Sequence, residues 1–268
     1  MYIACQFYSC PKYGKTANEY QDAFKHSLVS RVSSRFAIAD GVTDSIYQKM
    51  WADALVEYFV DQGFPAQPSK TAITNDDIVN KWLAPIKQKW HASIDWVKLE
   101  KKPMRKAKTE KVGALATFLG FEIVKVKNGS SQPRYSWRAY SCGDANLFVV
   151  RNNKLIKSFP IITSLEFNDT PKSLCSLQRP DESISTSMGL IKTNDTFILC
   201  TDAMAKWFLI QHEKGDWPWN TLSLINNKRQ FNNFIRELRT KDEIEDDDNT
   251  LAIVNIIWFD NRKTNRRK

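Results

Sequence analysis

The sequence has few of the features that mark disulfide-stapled, zinc-binding or membrane-spanning proteins. Its five cysteines are widely spaced without a C-x-x-C pair, and its three histidines are dispersed, so neither a disulfide framework nor a zinc cage is indicated. The longest apolar run, residues 112–121, has about half of the ~20 residues that a membrane-spanning helix needs. No basic segment precedes the short apolar run at the N-terminus. We therefore expect a soluble, cytoplasmic protein that does not bind a membrane.

The composition is that of a folded protein. Of the 268 residues, 42% are hydrophobic and 26% are charged, which excludes a disordered chain. This length suits one domain with a large core. We expect a single domain over residues 1–260, interrupted by a helical and basic insertion at about 66–111. A basic tail, residues 261–268, follows and is expected to be disordered.

The net charge of +9 is concentrated in two segments. Residues 98–111 and 261–268 each carry a net charge of +5, so the rest of the chain is close to neutral. A nucleic-acid-binding face would interleave its cations with aromatic residues on folded elements. We interpret the two segments as a solvated loop and a frayed tail, and we expect no specific nucleic-acid partner. A basic nucleic-acid-associated protein remains the weakest of three hypotheses.

Hydrophobic periodicity predicts strands and amphipathic helices in alternating groups. The predicted strands cover residues 3–8, 36–40, 113–124, 135–142, 147–151, 154–159, 196–201 and 251–259. The predicted helices cover 44–60, capped by Asp44 or Ser45; 75–98, capped by Asn75 or Asp76 and kinked or broken at Pro85; 203–212; and 228–241. The four middle strands are predicted to form an antiparallel meander. This grouping favours an α+β layered fold.

Acidic residues stand at the ends of several predicted strands. Asp40, Asp144 and Asp202 each follow a strand, and the run 246–248 precedes the last one. A carboxylate at the end of a buried strand has a rigid backbone and faces solvent, which suits a hard divalent cation. Each one alone is also typical of a turn or a helix cap. The informative feature is therefore the set and its order.

Six short motifs follow one another along the chain. They are residues 20–24 (YQDAF), 36–41 (FAIADG), 113–117 (GALAT), 142–146 (CGDAN), 197–203 (FILCTDA) and 247–250 (DDNT). In this order they resemble the motifs of the metal-dependent protein phosphatase 2C-like family, and the resemblance spans nearly the whole chain. It implies an α+β fold, a four-layer α-β-β-α sandwich in which helices flank two stacked antiparallel sheets. The metal centre would lie at one edge, between the sheets.

The resemblance also implies an activity and a set of metal ligands. The family hydrolyses phosphoserine and phosphothreonine in proteins with two Mg²⁺ or Mn²⁺ ions, whose bound water attacks phosphorus without a phosphoenzyme. By this resemblance Asp40 would bridge both ions and the Gly41 carbonyl would bind one of them. Asp202 and Asp247 would hold the other ion, with Asp248 as the alternative to Asp247. Asp22 would bind directly or through water, and Asp144 would help to hold a third, weaker ion. Asp40 and Asp22 are the predicted catalytic residues.

Some positions depart from the family pattern. Gln21 stands where a glutamate is common, and Ala17 stands where an arginine grips the substrate phosphate, with Lys12 or Lys15 as substitutes that offer only a point charge. Val42 and Ala203 replace a histidine and a glycine. We expect an active, monomeric phosphatase acting on a phosphorylated protein. The alternative, favoured by Gln21 and Ala17, is a catalytically weak pseudophosphatase that binds phosphoproteins.

Overall fold

The computed structural model describes residues 1–27, 33–42, 45–65, 72–73, 77–126, 134–177 and 183–258. The strands within these ranges are β1 (Tyr2–Cys10), β2 (Ala23–Ser27), β3 (Ser33–Ala39), β4 (Ala72–Ile73), β5 (Leu115–Ala116), β6 (Phe118–Val126), β7 (Arg134–Cys142), β8 (Asn146–Arg151), β9 (Lys154–Phe159), β10 (Leu174–Cys175), β11 (Ile184–Leu190), β12 (Asp195–Cys200) and β13 (Asn249–Ile257). The α-helices are α1 (Gln48–Gln62), α2 (Asp77–Ala92), α3 (Trp96–Glu100), α4 (Pro103–Lys111), α5 (Asp202–Glu213), α6 (Pro218–Ser223) and α7 (Lys228–Thr240). None of these helices is long and apolar enough to cross a bilayer.

Two large antiparallel sheets form the centre of the molecule. The first has the strand order β2-β3-β6-β7-β11-β4, and the second has the order β1-β13-β12-β8-β9. Strands β5 and β10 form a separate short pair. Strand β13 lies between β1 and β12, so the apolar segment near the C-terminus is an inner strand, as its β-branched composition predicts.

Three hydrophobic clusters define the layers. One lies between the sheets and joins aromatic side chains of both, with the ring centroids of Phe121 and Phe197 4.7 Å apart. A second packs the outer face of the first sheet against α1 and α2, and a third packs the second sheet against α5, α6 and α7. Each fully buried Phe contributes about 1.5–3 kcal/mol relative to an exposed one. The predicted four-layer α-β-β-α sandwich is confirmed.

The four middle strands do not form one meander, as the sequence pattern predicts. β6 pairs with β7 in the first sheet, whereas β8 pairs with β9 in the second, and the chain crosses between the layers at the CGDAN motif. Gly143 has a φ of 100° there, and a Cβ at this position would lie 2.6 Å from the Lys172 carbonyl oxygen. Periodicity describes each strand but does not distinguish a hairpin turn from a crossing between sheets, which explains the error.

The basic segment 98–111 is largely helical rather than a solvated loop. Asp95 caps α3 by accepting a hydrogen bond from the Lys98 backbone N–H at 2.9 Å, and Pro103 begins α4. Leu99 and Thr109 are buried, while most of the cationic side chains face solvent. Lys and Arg are good helix formers, so this composition suits an exposed helix as well as a loop. The tail 261–268 lies outside the described residues.

The helices before this segment also differ from their predicted bounds. α1 begins at Gln48 after Tyr47, and Ser45 donates its hydroxyl to the Val42 carbonyl at 2.9 Å instead of capping the helix. α2 continues through Pro85 and the chain breaks only after Ala92, because Trp82 and Ile86 hold both sides of the proline in the core. The other cap candidates, Asp44, Asn75 and Asp76, lie outside the described residues. Periodicity missed the weakly patterned elements β2, β4, β10, β11 and α6.

Candidate metal centre

Three of the predicted carboxylates lie at one end of the first sheet. In the β2–β3 pair Ala23 is opposite Ala39, so Asp22 and Asp40, one residue beyond them, stand at the same end. In the β6–β7 pair Phe118 is opposite Cys142, and Asp144 follows two residues later. Because β3 pairs antiparallel with β6, these two ends coincide. Residues that are far apart in the sequence therefore meet at one sheet end.

The second sheet contributes two more carboxylates at the adjoining end. Cys200 of β12 is opposite Leu251 of β13, so Asp202 follows one strand and Asp247 precedes the other at the same end. Hydroxyl groups of this sheet reach across to the first: Thr201 Oγ1 donates to Asp22 Oδ2 at 3.0 Å and Thr250 Oγ1 donates at 2.8 Å. The two ends thus form one acidic cluster between the sheets.

Asp22 is the most enclosed member of the cluster. It is 1% exposed, and its Oδ2 also lies 3.3 Å from the Tyr20 hydroxyl, which in turn forms a short hydrogen bond with Thr250. Its Oδ1 is buried and has no hydrogen-bond partner among the described residues. Burial first, and the charge of Asp248 second, raise the pKa of Asp22 to about 7. The three hydroxyls were not predicted individually, although they belong to the YQDAF, FILCTDA and DDNT motifs.

Asp40 is half-buried and interacts directly with Asp22. Removal from water first, and then the charges of Asp22 and Asp202, raise its pKa well above the usual range. Gly41 faces Ala116 in an isolated β-bridge whose hydrogen bonds are made by the Asp40 carbonyl and the Val42 N–H, so the bridge leaves the Gly41 carbonyl unused. A Cβ on Gly41 would lie 3.0 Å from the Gln21 carbonyl oxygen. This close approach explains the glycine.

Asp202 and Asp144 complete the inner part of the cluster. Burial first, and then the charges of Asp144 and Asp22, raise the pKa of Asp202 well above its usual range. Burial likewise raises the pKa of Asp144 to about 6, and its Oδ1 is buried without a partner in the described part of the chain. Asp202 Oδ1 accepts the N–H of Ala203 at 2.7 Å in the first turn of α5. Ala203 is itself buried, so a small residue fits where the family has glycine.

The two candidates in the acidic run have different surroundings. Asp248 is buried and accepts backbone N–H groups of Lys12 at 2.8 Å and Gln21 at 2.6 Å, so both of its oxygens are engaged. Asp247 is half-buried; its Oδ1 accepts the Asp248 N–H at 2.8 Å and lies 3.9 Å from Lys12 Nζ. Its charge also contributes to the raised pKa of Asp40 and Asp202. Of the two carboxylates, Asp247 is therefore the better placed to bind a metal ion.

The donor chemistry of this cluster fits hard divalent cations. Five carboxylates meet, and the one ion pair that they make among the described residues is that of Asp247 with Lys12. Oxygen donors with uncompensated negative charge are what Mg²⁺ and Mn²⁺ require. In the described ranges, however, no group of three or more His, Cys, Asp or Glu side chains is arranged to ligate one ion as it stands. Internal hydrogen bonds hold Asp22, Asp202 and Asp248 in the conformations described above.

The lysines suggested as phosphate-binding substitutes are both occupied. Lys15 Nζ pairs with Glu19 at 3.0 Å across the short helical turn that contains Ala17, and Lys12 faces Asp247. Neither lysine therefore presents a free cation beside the cluster.

Gln21 lines a cavity of about 610 Å³ between the β1–β2 loop, α1 and the insertion helices.

The other prominent side chains have structural surroundings. Burial raises the pKa of the Cys200 thiol, which keeps it protonated and unreactive. His26 and His91 lie against aromatic rings near β2 and α3, and His212 lies against Trp219 on the outer side of the second sheet. Trp217 is exposed, while Trp219 is buried in α6. These features agree with packing or surface roles.

Comparison with known proteins yields similarity in structure only. A comparison with protein-family models finds no match, and one with curated protein sequences finds none. Among solved structures, a bacterial serine phosphatase is similar at a TM-score of 0.57 and 11% identity over 97% of this chain and 100% of that chain. Serine/threonine phosphatase Stp1 from Staphylococcus aureus is similar at a TM-score of 0.57 and 10% identity, over 97% of this chain and 96% of that chain. The photosystem II phosphatase PBCP is similar at a TM-score of 0.54 and 13% identity, over 95% of this chain and 99% of that chain.

At these low identities the structural similarity establishes the fold alone. The matched structures extend over nearly the full length of this chain and of their own, so one continuous architecture is shared rather than a fragment. The order of the sheets and the flanking helices is what the motif resemblance implies. The chain has the phosphatase 2C-like fold.

Proposed function

We propose that this chain is a divalent-metal-dependent protein serine/threonine phosphatase. The observation that carries the proposal is the cluster of Asp22, Asp40, Asp144, Asp202 and Asp247 between the two sheets, for which the described residues provide one paired cation, Lys12. Two of the similar solved structures are described as a serine phosphatase and a serine/threonine phosphatase, which supports the same activity here.

Two Mg²⁺ or Mn²⁺ ions would be held by Asp40, the Gly41 carbonyl, Asp202 and Asp247, with Asp22 beside them and Asp144 toward a third. When bound, such ions lower the pKa of water and offset charge on phosphoryl oxygens. In the proposed reaction a water oxygen bonds to phosphorus as the bond to the serine or threonine oxygen breaks, releasing the hydroxyl side chain and inorganic phosphate.

The chain's own residues position this chemistry. Thr201, Thr250 and Tyr20 direct their hydroxyl groups at Oδ2 of Asp22, and its buried Oδ1 accepts no hydrogen bond from the described residues. Asp248 ties the backbone at Lys12 and Gln21 to the loop before β13 and so fixes the residue that precedes Asp22. The fully buried flank formed by Asp22 and Asp144 excludes bulk water, whereas the half-buried Asp40, Asp202 and Asp247 leave an open side for substrate.

The test is metal-dependent release of phosphate from a small aryl phosphate. The wild-type chain is expected to turn over with Mn²⁺ and to stop with a chelator, and Asp40→Asn is expected to lower kcat at least a hundredfold. Asp216→Asn is the matched control, because Asp216 is exposed in the turn after α5, beyond the end of that helix opposite Asp202. Absent turnover in a folded, metal-loaded sample contradicts the proposal.

The second candidate is a catalytically weak protein that binds phosphoproteins. It is favoured by Gln21, which removes one negative charge, and by the engagement of Lys12 and Lys15 in ion pairs. A phosphopeptide that binds with micromolar affinity and stays intact in the presence of Mn²⁺ would select this candidate. A phosphorylated protein partner, a monomeric state and a cytoplasmic location remain predictions.

A further inference from the structure

A polar cavity of about 610 Å³ opens next to the carboxylate cluster. Gln21 lines one end of it, and Asp22 is the next residue in the chain. Gln48, also in its wall, lies against Gly41, since a Cβ on Gly41 would be 3.0 Å from Gln48 Cγ. The carboxylates of the cluster lie outside its lining. A substrate whose phosphoryl group reaches the cluster would therefore place its flanking part in this cavity.

The cavity has four cationic side chains, and three of them are neutralised. Lys15 pairs with Glu19 at 3.0 Å, and Lys89 pairs with Glu57 at 2.9 Å. Lys49 pairs with Asp53 at 2.5 Å. The fourth, Arg105, makes no ion pair with any acidic residue in the described part of the chain. The wall therefore carries one uncompensated positive charge, located at Arg105.

Arg105 is held in place without an acidic partner. Its guanidinium carbon lies 5.0 Å from the centre of the Tyr47 ring, a cation–π contact that orients the group while leaving its N–H donors free. Tyr47 has a φ of 59°, an uncommon left-handed conformation for a bulky residue, and its carbonyl accepts the Trp51 N–H at the start of α1. Backbone strain of this kind is often found where a side chain must be placed for function.

Arg105 belongs to the basic insertion and not to the six motifs quoted from the sequence. It lies in α4, whose buried Thr109 donates its hydroxyl to the Arg105 carbonyl at 2.8 Å, so the backbone beneath the guanidinium is fixed. A planar guanidinium with free donors pairs with a carboxylate through two parallel hydrogen bonds. The geometry thus offers an anion site in the wall of the cavity, supplied by the insertion.

We propose that Arg105 is a specificity-determining residue that binds a carboxylate side chain flanking the phosphorylated residue of a peptide substrate. This inference rests on the proposed phosphatase function, because the cluster must hold the phosphoryl group. It gives the insertion a role in selecting acidic phosphopeptides.

The experiment compares three substrates in the presence of Mn²⁺. They are para-nitrophenyl phosphate, a phosphothreonine peptide with glutamate on both sides, and the same peptide with glutamine on both sides. The wild-type chain is expected to prefer the glutamate peptide over the glutamine peptide about fivefold in kcat/KM, through KM. Arg105→Ala is expected to abolish the preference and to leave para-nitrophenyl phosphate turnover unchanged, and Arg105→Lys is expected to keep part of the preference.

Lys108→Ala is the matched control, since it removes the same charge from an exposed position of α4 that does not line the cavity. It is expected to behave as the wild type. The inference is overturned if the wild type does not distinguish the peptides, or if Arg105→Ala slows all three substrates equally. Failure of the proposed function looks different, because the wild type then hydrolyses none of the three. In that case fluorescence anisotropy with the two labelled peptides still tests Arg105: equal affinities, or a preference that survives Arg105→Ala, overturn the inference.

Discussion

The hydroxyl group of Thr201 donates a hydrogen bond to Asp22 across the two sheets, at 3.0 Å and over a separation of 179 residues. The same oxygen of Thr201 accepts the backbone N–H of Thr250 at 3.0 Å. One side chain therefore links the end of β12, the start of β13 and the carboxylate in front of β2. The orientation of Asp22 depends on this link.

Thr201→Val should weaken metal binding. The variant keeps the shape of the side chain but removes the donor to Asp22, and loss of a group that orients a ligand typically costs 10–100-fold in metal affinity. We expect at least a tenfold rise in the Kd for Mn²⁺ by calorimetric titration, and a loss of about 1–3 kcal/mol in the free energy of unfolding. Thr196→Val is the control, because this threonine of β12 bonds Asn255 away from the cluster. Equal effects of the two variants would contradict the prediction.

Asp247→Ala should mainly weaken Mn²⁺ binding, and Asp248→Ala should mainly lower the stability of the fold. Asp248 accepts two backbone N–H groups, so its removal is expected to lower the free energy of unfolding of the metal-free protein by about 2 kcal/mol. Asp247 is half-buried and repels its neighbours, so its removal is expected to cost less stability but to weaken Mn²⁺ binding at least tenfold. Urea unfolding with a chelator and calorimetric titration provide the two measurements. The reverse pattern would identify Asp248 as the ligand.

The metal-free protein should lose stability as pH rises toward neutrality. Folding raises the pKa of Asp22 to about 7 and that of Asp144 to about 6, mainly through burial, whereas unfolded carboxyls titrate near 4. A group whose folded pKa is raised stabilises the fold below its unfolded pKa, and this contribution is lost as pH rises through the folded pKa. We expect Tm in a chelator to fall between pH 5 and pH 8, and less so in Asp22→Asn. A steeper fall in that variant would contradict the assignment.

Asp195→Ala should destabilise the fold without changing the site. Asp195 is buried at the start of β12, and Arg151 binds it with two hydrogen bonds of 2.6 and 3.0 Å. Its removal leaves an unpaired guanidinium and is expected to cost about 3 kcal/mol in urea unfolding. Glu110→Ala, which breaks an exposed pair with Lys106, is the control and should unfold as the wild type does. A change in the Mn²⁺ affinity of folded Asp195→Ala would show that the two regions are coupled.

The sequence predicts most strands and the layered architecture, because short apolar runs such as the one in β12 coincide with buried strands. It does not predict which strands share a sheet: the turn at Gly143 looks like a hairpin, although the chain there crosses into the other layer. It also does not predict α4, since cations suit both a helix and a loop.

The sequence likewise predicts some residues of the carboxylate cluster and leaves others undecided. Motif order identifies Asp22, Asp40 and Asp202, whose positions follow from strand ends. The contrast between Asp247 and Asp248 depends on which carboxylate accepts backbone N–H groups from a loop more than 220 residues away, and local spacing carries no trace of that pairing. Sequence motifs do not point to Arg105 either, because its proposed role depends on a cavity and on the ion pairs of the neighbouring lysines.

The carboxylates are shared between the layers of the sandwich, with Asp22, Asp40 and Asp144 on one sheet and Asp202 and Asp247 on the other. Without divalent cations, like charges would face each other across the gap and repel at this end of the sandwich. Amide hydrogen exchange should therefore quicken at the facing ends of β3 and β12 together, while the opposite strand ends keep their protection. Loss of metal should therefore also weaken the packing of the two sheets against each other at this end.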